Sequence, residues 1–142
     1  MPPTIPIDEL YKGGKYPEGQ IVNYEGTNSY RANSLEKKEA EKLSEEILTD
    51  IRRAAEVHRQ VRRYAQSIIR PGIRLIDMCE KIEDMNRKLV RENGLEAGIA
   101  FPTGCSLNHV AAHYTPNPGD FTVLQQSDVM KVLLCSLLRS LY

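Results

Sequence analysis

Apolar residues recur in steps of three and four at Leu43, Ile47, Ile51, Ala54, Val57, Val61, Ala65 and Ile68. That period marks the buried stripe of one long helix. Asn33, with Glu36 three residues on, supplies a capping-box-like start, and Arg70-Pro71-Gly72 supplies the stop. A second stripe, Leu75, Met78, Cys79, Ile82, Met85, Leu89 and Val90, predicts a helix from about Leu75 to a C-cap at Asn93-Gly94. Methionine and cysteine at this spacing read as core packing rather than a ligand set. Beyond Gly94 the period shortens. Ala97 to Phe101 is a short strand candidate, then a strand through His113, then Phe121 to Leu124 and Asp128 to Leu134. In the His113 strand, Leu107, His109, Ala111 and His113 would share one face, with Asn108, Val110, Ala112 and Tyr114 on the other. Residues 1–32 lack either period. Pro2, Pro3 and Pro6 remove donors, while Gly13-Gly14 and Pro17-Glu18-Gly19 punctuate turns, so an extended arm with scattered apolar anchors is expected.

Composition narrows the function classes. The 142 residues fit one domain. Lys plus Arg and Asp plus Glu balance at 19 each, so no global field draws the chain to nucleic acid or to an anionic membrane. The run Arg52-Arg53, Arg59, Arg62-Arg63 and Arg70 is interleaved with Glu45, Glu46, Asp50 and Glu56 and reads as a solvated helix face. His58 lies beside the apolar stripe without a second ligand nearby and reads as structural. Cys79, Cys105 and Cys135 fall far apart, which favours reduced thiols in the cytosol over a disulfide framework or a zinc knuckle. The start MPPTIPIDEL has no apolar run and no basic lead, so no secretory signal is expected. The Leu-rich ending is too short and too charged, with Lys131 and Arg139, to span a membrane.

The candidate chemistry gathers in Phe101 to Asp120, FPTGCSLNHVAAHYTPNPGD. His109 and His113, four apart, have the spacing of a zinc-peptidase helix. Val110 stands where that helix needs its Glu, and Pro102, Gly104 and Pro116 leave no room for a helix. On a strand the two histidines would be roughly 13 Å apart, too far to share one metal. Read on its own, His113 is open to two readings: a pocket residue, or a partly buried strand histidine satisfied by a backbone carbonyl.

FPTG, SLNH and AAHYTPN, in that order and spacing, resemble the type 2 methionine aminopeptidases from about Pro6 to Val132. The resemblance implies an α/β (α+β) pita-bread fold, of which 33–132 would form the N-terminal half: two helices followed by an antiparallel sheet, incomplete. It implies removal of the initiator methionine from N-terminal Met peptides by dinuclear-metal hydrolysis, with two divalent ions (Co, Mn, Zn or Fe) as cofactors. His113 matches the histidine that faces the substrate beside the metals, positions the scissile peptide and is alkylated by fumagillin-type epoxides. Phe101 matches the wall of the methionine side-chain pocket. A cytoplasmic protein, with possible ribosome association and no direct nucleic-acid contact, follows from the same likeness.

Three departures qualify it. The usual Thr at the second helix's N-cap is Arg74, the usual Cys is Val110, and the Asp-Phe-Gly expected after Val132 is replaced by Leu133-Leu134-Cys135. Leu133 thus stands where the first metal-binding Asp belongs. Residues 133–142 are read as a divergent Leu-rich tail of a truncated chain, as if translated from a wrong frame or an unspliced intron. No metal is expected to bind, and the chain is expected to be inactive alone. The alternatives are a non-catalytic pita-bread binding protein of ribosome or RNA, or a gene-model artefact.

Overall fold

The computed structural model describes residues 2–22 and 34–138. Among these described residues, four helices precede four short strands: α1 (Ile7–Leu10), α2 (Leu35–Leu43), α3 (Glu45–Ile68), α4 (Leu75–Val90), β1 (Ala97–Ile99), β2 (Gly104–Leu107), β3 (Met130–Leu133) and β4 (Ser136–Leu138). The stripes of α3 and α4 face each other. Val57, Val61 and Ala65 meet Leu75, Met78, Ile82, Leu89 and Val90 in the buried core, which also takes Ile7 from α1. Toward the start of α3 the stripe leaves the core: Ile51 is 46% exposed.

Several boundaries differ from the sequence expectations, each for a local reason. The long helix is two. Ser44 ends α2 with its N–H on Glu41 O and its hydroxyl on Ala40 O, 2.8 Å away, and α3 restarts beyond it. A serine hydroxyl competes with the backbone in this way, and an apolar stripe running across the break does not report it. The N-cap of α2 is Ser34, whose Oγ accepts from Lys37 N–H at 3.2 Å; Asn33 lies outside the described residues. Helix α4 stops at Val90, because Arg91 takes the left-handed C-cap conformation at φ 57°. Gly94 (φ 53°) instead serves the tight turn into β1, where Asn93 N–H reaches Ala97 O at 2.8 Å.

The N-terminal arm is not wholly extended. Pro6 can start a helix because its carbonyl receives Glu9 and Leu10 N–H, and its missing donor is not needed there. The resulting turn buries Ile7 completely. Tyr11 Oη then donates to Glu56 Oε1 at 3.4 Å, and Arg91 pairs with Asp8 at 3.2 Å and with Glu9, which ties α1 to α3 and to the end of α4. Part of the basic run does structural work too. Arg53 donates to Val90 O at 3.0 Å, satisfying a C-terminal carbonyl of α4, whereas Arg52, Arg62, Arg63 and Arg70 are exposed.

The strands pair as two antiparallel ribbons. β1 runs against β4, with Ala97 opposite Leu138 and Ile99 opposite Ser136, and β2 runs against β3, with Gly104 opposite Leu133 and Leu107 opposite Met130. The described part of the Leu-rich ending, through Leu138, therefore belongs to the packed structure. Leu134 and Leu138 are buried, and buried Asn86 of α4 donates to Cys135 O at 3.0 Å and accepts from Ser136 Oγ at 2.8 Å. The segment Phe121 to Leu124 forms no strand beyond a single bridge between Val123 and Arg74. Thr122 O receives Leu75 N–H at 3.0 Å, capping α4 in place of an N-cap side chain, and Leu124 O receives Gly72 N–H at 2.8 Å in the turn before the helix. Arg74 stacks over the Phe121 ring at 5.2 Å, so the departure at the N-cap is compensated by this loop. Among the described residues no helix is long and apolar enough to cross a membrane.

Candidate functional site

The predicted strand through His113 ends early. β2 stops at Leu107 because Asn108 adopts φ 48°, in the left-handed region that Asn tolerates better than most residues. Asn108 is held there by four bonds to the approach of β3. Its N–H reaches Val129 O (2.8 Å) and its Nδ2 reaches Asp128 Oδ1 (2.8 Å), while its Oδ1 accepts from Val129 N–H (3.0 Å) and its carbonyl from Lys131 Nζ (2.9 Å). The Asn108 bond, and then the Gln125 N–H on the other oxygen, hold the Asp128 carboxyl below the usual carboxylate range.

From Asn108 the chain makes an excursion and returns at Tyr114. The return is fastened by Cys105 N–H on Tyr114 O (2.8 Å) and by Tyr114 N–H on Ser106 Oγ (3.3 Å), and Thr115 Oγ1 adds a bond to Thr103 O (3.1 Å). Tyr114 Oη donates to Asp120; this bond, then burial, pushes the phenol up, and Asp120 is held below its ordinary range first by Thr122 and then by Tyr114. His113 sits just before the fastened point with φ 64°, a conformation that a residue with a β-carbon adopts only under constraint.

That constraint brings together the two residues singled out from the sequence. His113 and Phe101 line one cavity of about 590 Å³, together with Gly104 and Ser106 of β2, Lys131 to Leu133 of β3, and the Ala111-Ala112 backbone segment. Phe101 reaches it from the link between β1 and β2 and is 42% exposed. His109 is exposed in the turn and does not contribute to the lining, so the expected common face of His109 and His113 does not exist. Ser106, Thr115, Lys131 and Val132 escaped the sequence reading as lining residues, and Leu133 entered it only as the position of a missing metal-binding Asp. Alternation along β2 could have pointed to Ser106, since Gly104 and Ser106 turn toward the cavity and Cys105 between them toward the core.

The lining can position an apolar side chain against Phe101 and Val132 and offer an imidazole to a polar group beside it. It does not fit a pair of divalent ions. His113 is its one imidazole and it has no carboxylate or thiol, while hard cations take several oxygen or imidazole ligands each. Among the described residues, no group of three or more His, Cys, Asp and Glu could hold a metal ion.

Comparison with known proteins gives a consistent set. The profile of metallopeptidase family M24 matches residues 49–139. The chain is 58% identical over 131 residues to methionine aminopeptidase 2A of Arabidopsis thaliana, an alignment covering 92% of the chain and 30% of that relative. Methionine aminopeptidase 2 of Dictyostelium discoideum is 53% identical over 131 residues, covering 92% and 30%. Its namesake in Schizosaccharomyces pombe is 50% identical over 131 residues, covering 92% and 31%. The chain thus spans about a third of the length of the curated relatives it matches.

Proposed function

Because the chain belongs to metallopeptidase family M24, an α/β family of metal-dependent peptidases, we propose that it carries the substrate-recognising part of a type 2 methionine aminopeptidase and does not hydrolyse peptides by itself. In this reading 33–132 is the N-terminal half of a pita-bread domain, 1–32 its lead-in arm and 133–142 a divergent tail. Phe101 packs against the methionine side chain of an N-terminal Met peptide. His113 donates to or accepts from the scissile amide and orients it. The observation that carries the reading is the convergence of these two residues, from separate segments, on one largely apolar cavity. Hydrolysis in the family draws on divalent metals, which polarise the carbonyl and supply hydroxide at neutral pH. The donor set around this cavity cannot hold them, which supports an inactive chain. The reading implies a cytoplasmic protein, where N-terminal methionines are first presented.

The packed tail favours one second reading. Leu134 and Leu138 are buried in the core, and β4 pairs with β1, as a non-catalytic binding protein packed onto this segment would require. Both readings share the cavity and part over whether a partner restores hydrolysis. The test is methionine release from Met-Ala-Ser by the purified chain with cobalt(II) or manganese(II), measured by mass spectrometry. The expected result is intact peptide at every metal concentration. Metal-dependent release by a preparation free of host aminopeptidase, and lost in His113→Ala, would overturn the proposal.

A further inference from the structure

Cys79 of α4 and Cys105 of β2, distant in sequence, meet in the core. The Cys79 thiol donates to the Cys105 sulfur at 3.6 Å and lies 3.7 Å from Thr103 O. Both side chains are buried, at 5% and 0% exposure. Two sulfurs already in contact need only about 1.5 Å of further approach to reach bonding distance. We infer that Cys79 and Cys105 are a disulfide-forming pair, oxidised by a small hydroperoxide, whose closure locks β2 onto α4 behind the cavity. Cys105 is flanked by Gly104 and Ser106, which line that cavity, so the link stiffens the wall that carries them.

The chemistry balances with hydrogen peroxide. One cysteine, as thiolate, attacks the O–O bond; its sulfur is oxidised to a sulfenic acid, and the departing hydroxide takes up the proton and leaves as water. The second sulfur then displaces hydroxide from the sulfenyl sulfur, forming the S–S bond, and its own proton completes a second water. Two thiols and one peroxide give one disulfide and two waters, a two-electron oxidation. The oxidant has to be small because neither sulfur is open to solvent, whereas Cys135 is half-buried and competes for bulkier reagents. The hydrogen bond with Cys105, and then burial, push the Cys79 thiol up, so the reaction is slower than at an exposed thiolate.

The test uses the full chain and its Cys135→Ser variant, treated with hydrogen peroxide, alkylated and digested without reduction. The expected product is a monomer containing linked Cys79 and Cys105 peptides, reversed by dithiothreitol. Closing the loop between them should lower the unfolding equilibrium constant on the order of a hundredfold. Cys79→Ala and Cys105→Ala should each abolish the link. Full alkylation of both thiols after unfolding would overturn the inference. Sulfinic or sulfonic acid at either cysteine without a link would do the same, as would a link only between chains. Should Cys135→Ser not fold, the peptide map of the unaltered chain decides by the same outcomes.

Discussion

His113 combines a reactive side chain with a costly backbone, since φ 64° disfavours a residue bearing a β-carbon by roughly 1 kcal/mol. His113→Gly should therefore gain about 1 kcal/mol of stability while losing the imidazole, and β-branched His113→Val should lose roughly 1–2 kcal/mol. Denaturant unfolding of the three chains checks this, and a glycine variant no more stable than the parent would show that the position is unstrained. Asp128 supplies a second residue-level test. Its bonds from Asn108 and Gln125 hold its carboxyl below the ordinary range, so its contribution is complete above about pH 4 and fades as pH falls through the lowered folded value. Melting temperature should drop on acidification through this window, and Asp128→Ala should flatten that limb; an unchanged limb would exclude the clamp. At this scale the FPTG and AAHYTPN segments singled out Phe101 and His113, and the structure places both in the lining of one cavity. The sequence concealed how they meet, because alternation presumes extended backbone, and Asn108 and His113 both abandon it.

The helices were legible as elements and less so at their ends. A stripe of apolar residues reports which face is buried, and Val57, Val61, Leu75, Met78, Ile82 and Leu89 are all buried. It is silent about caps, which depend on single side chains such as Ser34 and Ser44 and on the left-handed Arg91. Glu56 is the clearest surprise on α3, being 3% exposed where a solvated face was expected. Burial pushes its carboxyl up, but hydrogen bonds from Arg59, Gln60 and Tyr11 outweigh this and leave it below its ordinary range. Tyr11→Phe, which removes the bond joining α1 to α3, should cost about 0.5–1.5 kcal/mol in chemical unfolding. On the other side of the core, Asn86→Ala breaks both bonds to the tail and should cost roughly 1–3 kcal/mol. Amide exchange in β4 should accelerate with it; if β4 keeps its protection, Asn86 does not anchor the tail.

For the molecule as a whole, the tail was the part least legible from sequence. Residues 133–142 read as a divergent Leu-rich tail, but Leu138 joins β1 through a strand. Short apolar runs fit a helix or a strand, and only the partner edge decides. What remains open is the other edge of β3, which pairs only with β2 among the described residues, beside Val129 at 68% and Leu133 at 53% exposure. An unpaired apolar edge invites other chains, so the apparent mass in size-exclusion chromatography should rise with concentration, and Val129→Lys should suppress the rise. A strictly monomeric elution profile would refute it. The cavity, finally, is the centre of the functional reading, and its occupant can be identified by calorimetric titration with Met-Ala-Ser and with Gly-Ala-Ser in the presence of a chelator. Burying a methionine side chain is worth about 1.5–3 kcal/mol, so the methionine peptide should bind roughly tenfold to a hundredfold more tightly, with the difference lost in Phe101→Ala. Equal responses to the two peptides, or a methionine preference that survives Phe101→Ala, would contradict a methionine pocket in this chain.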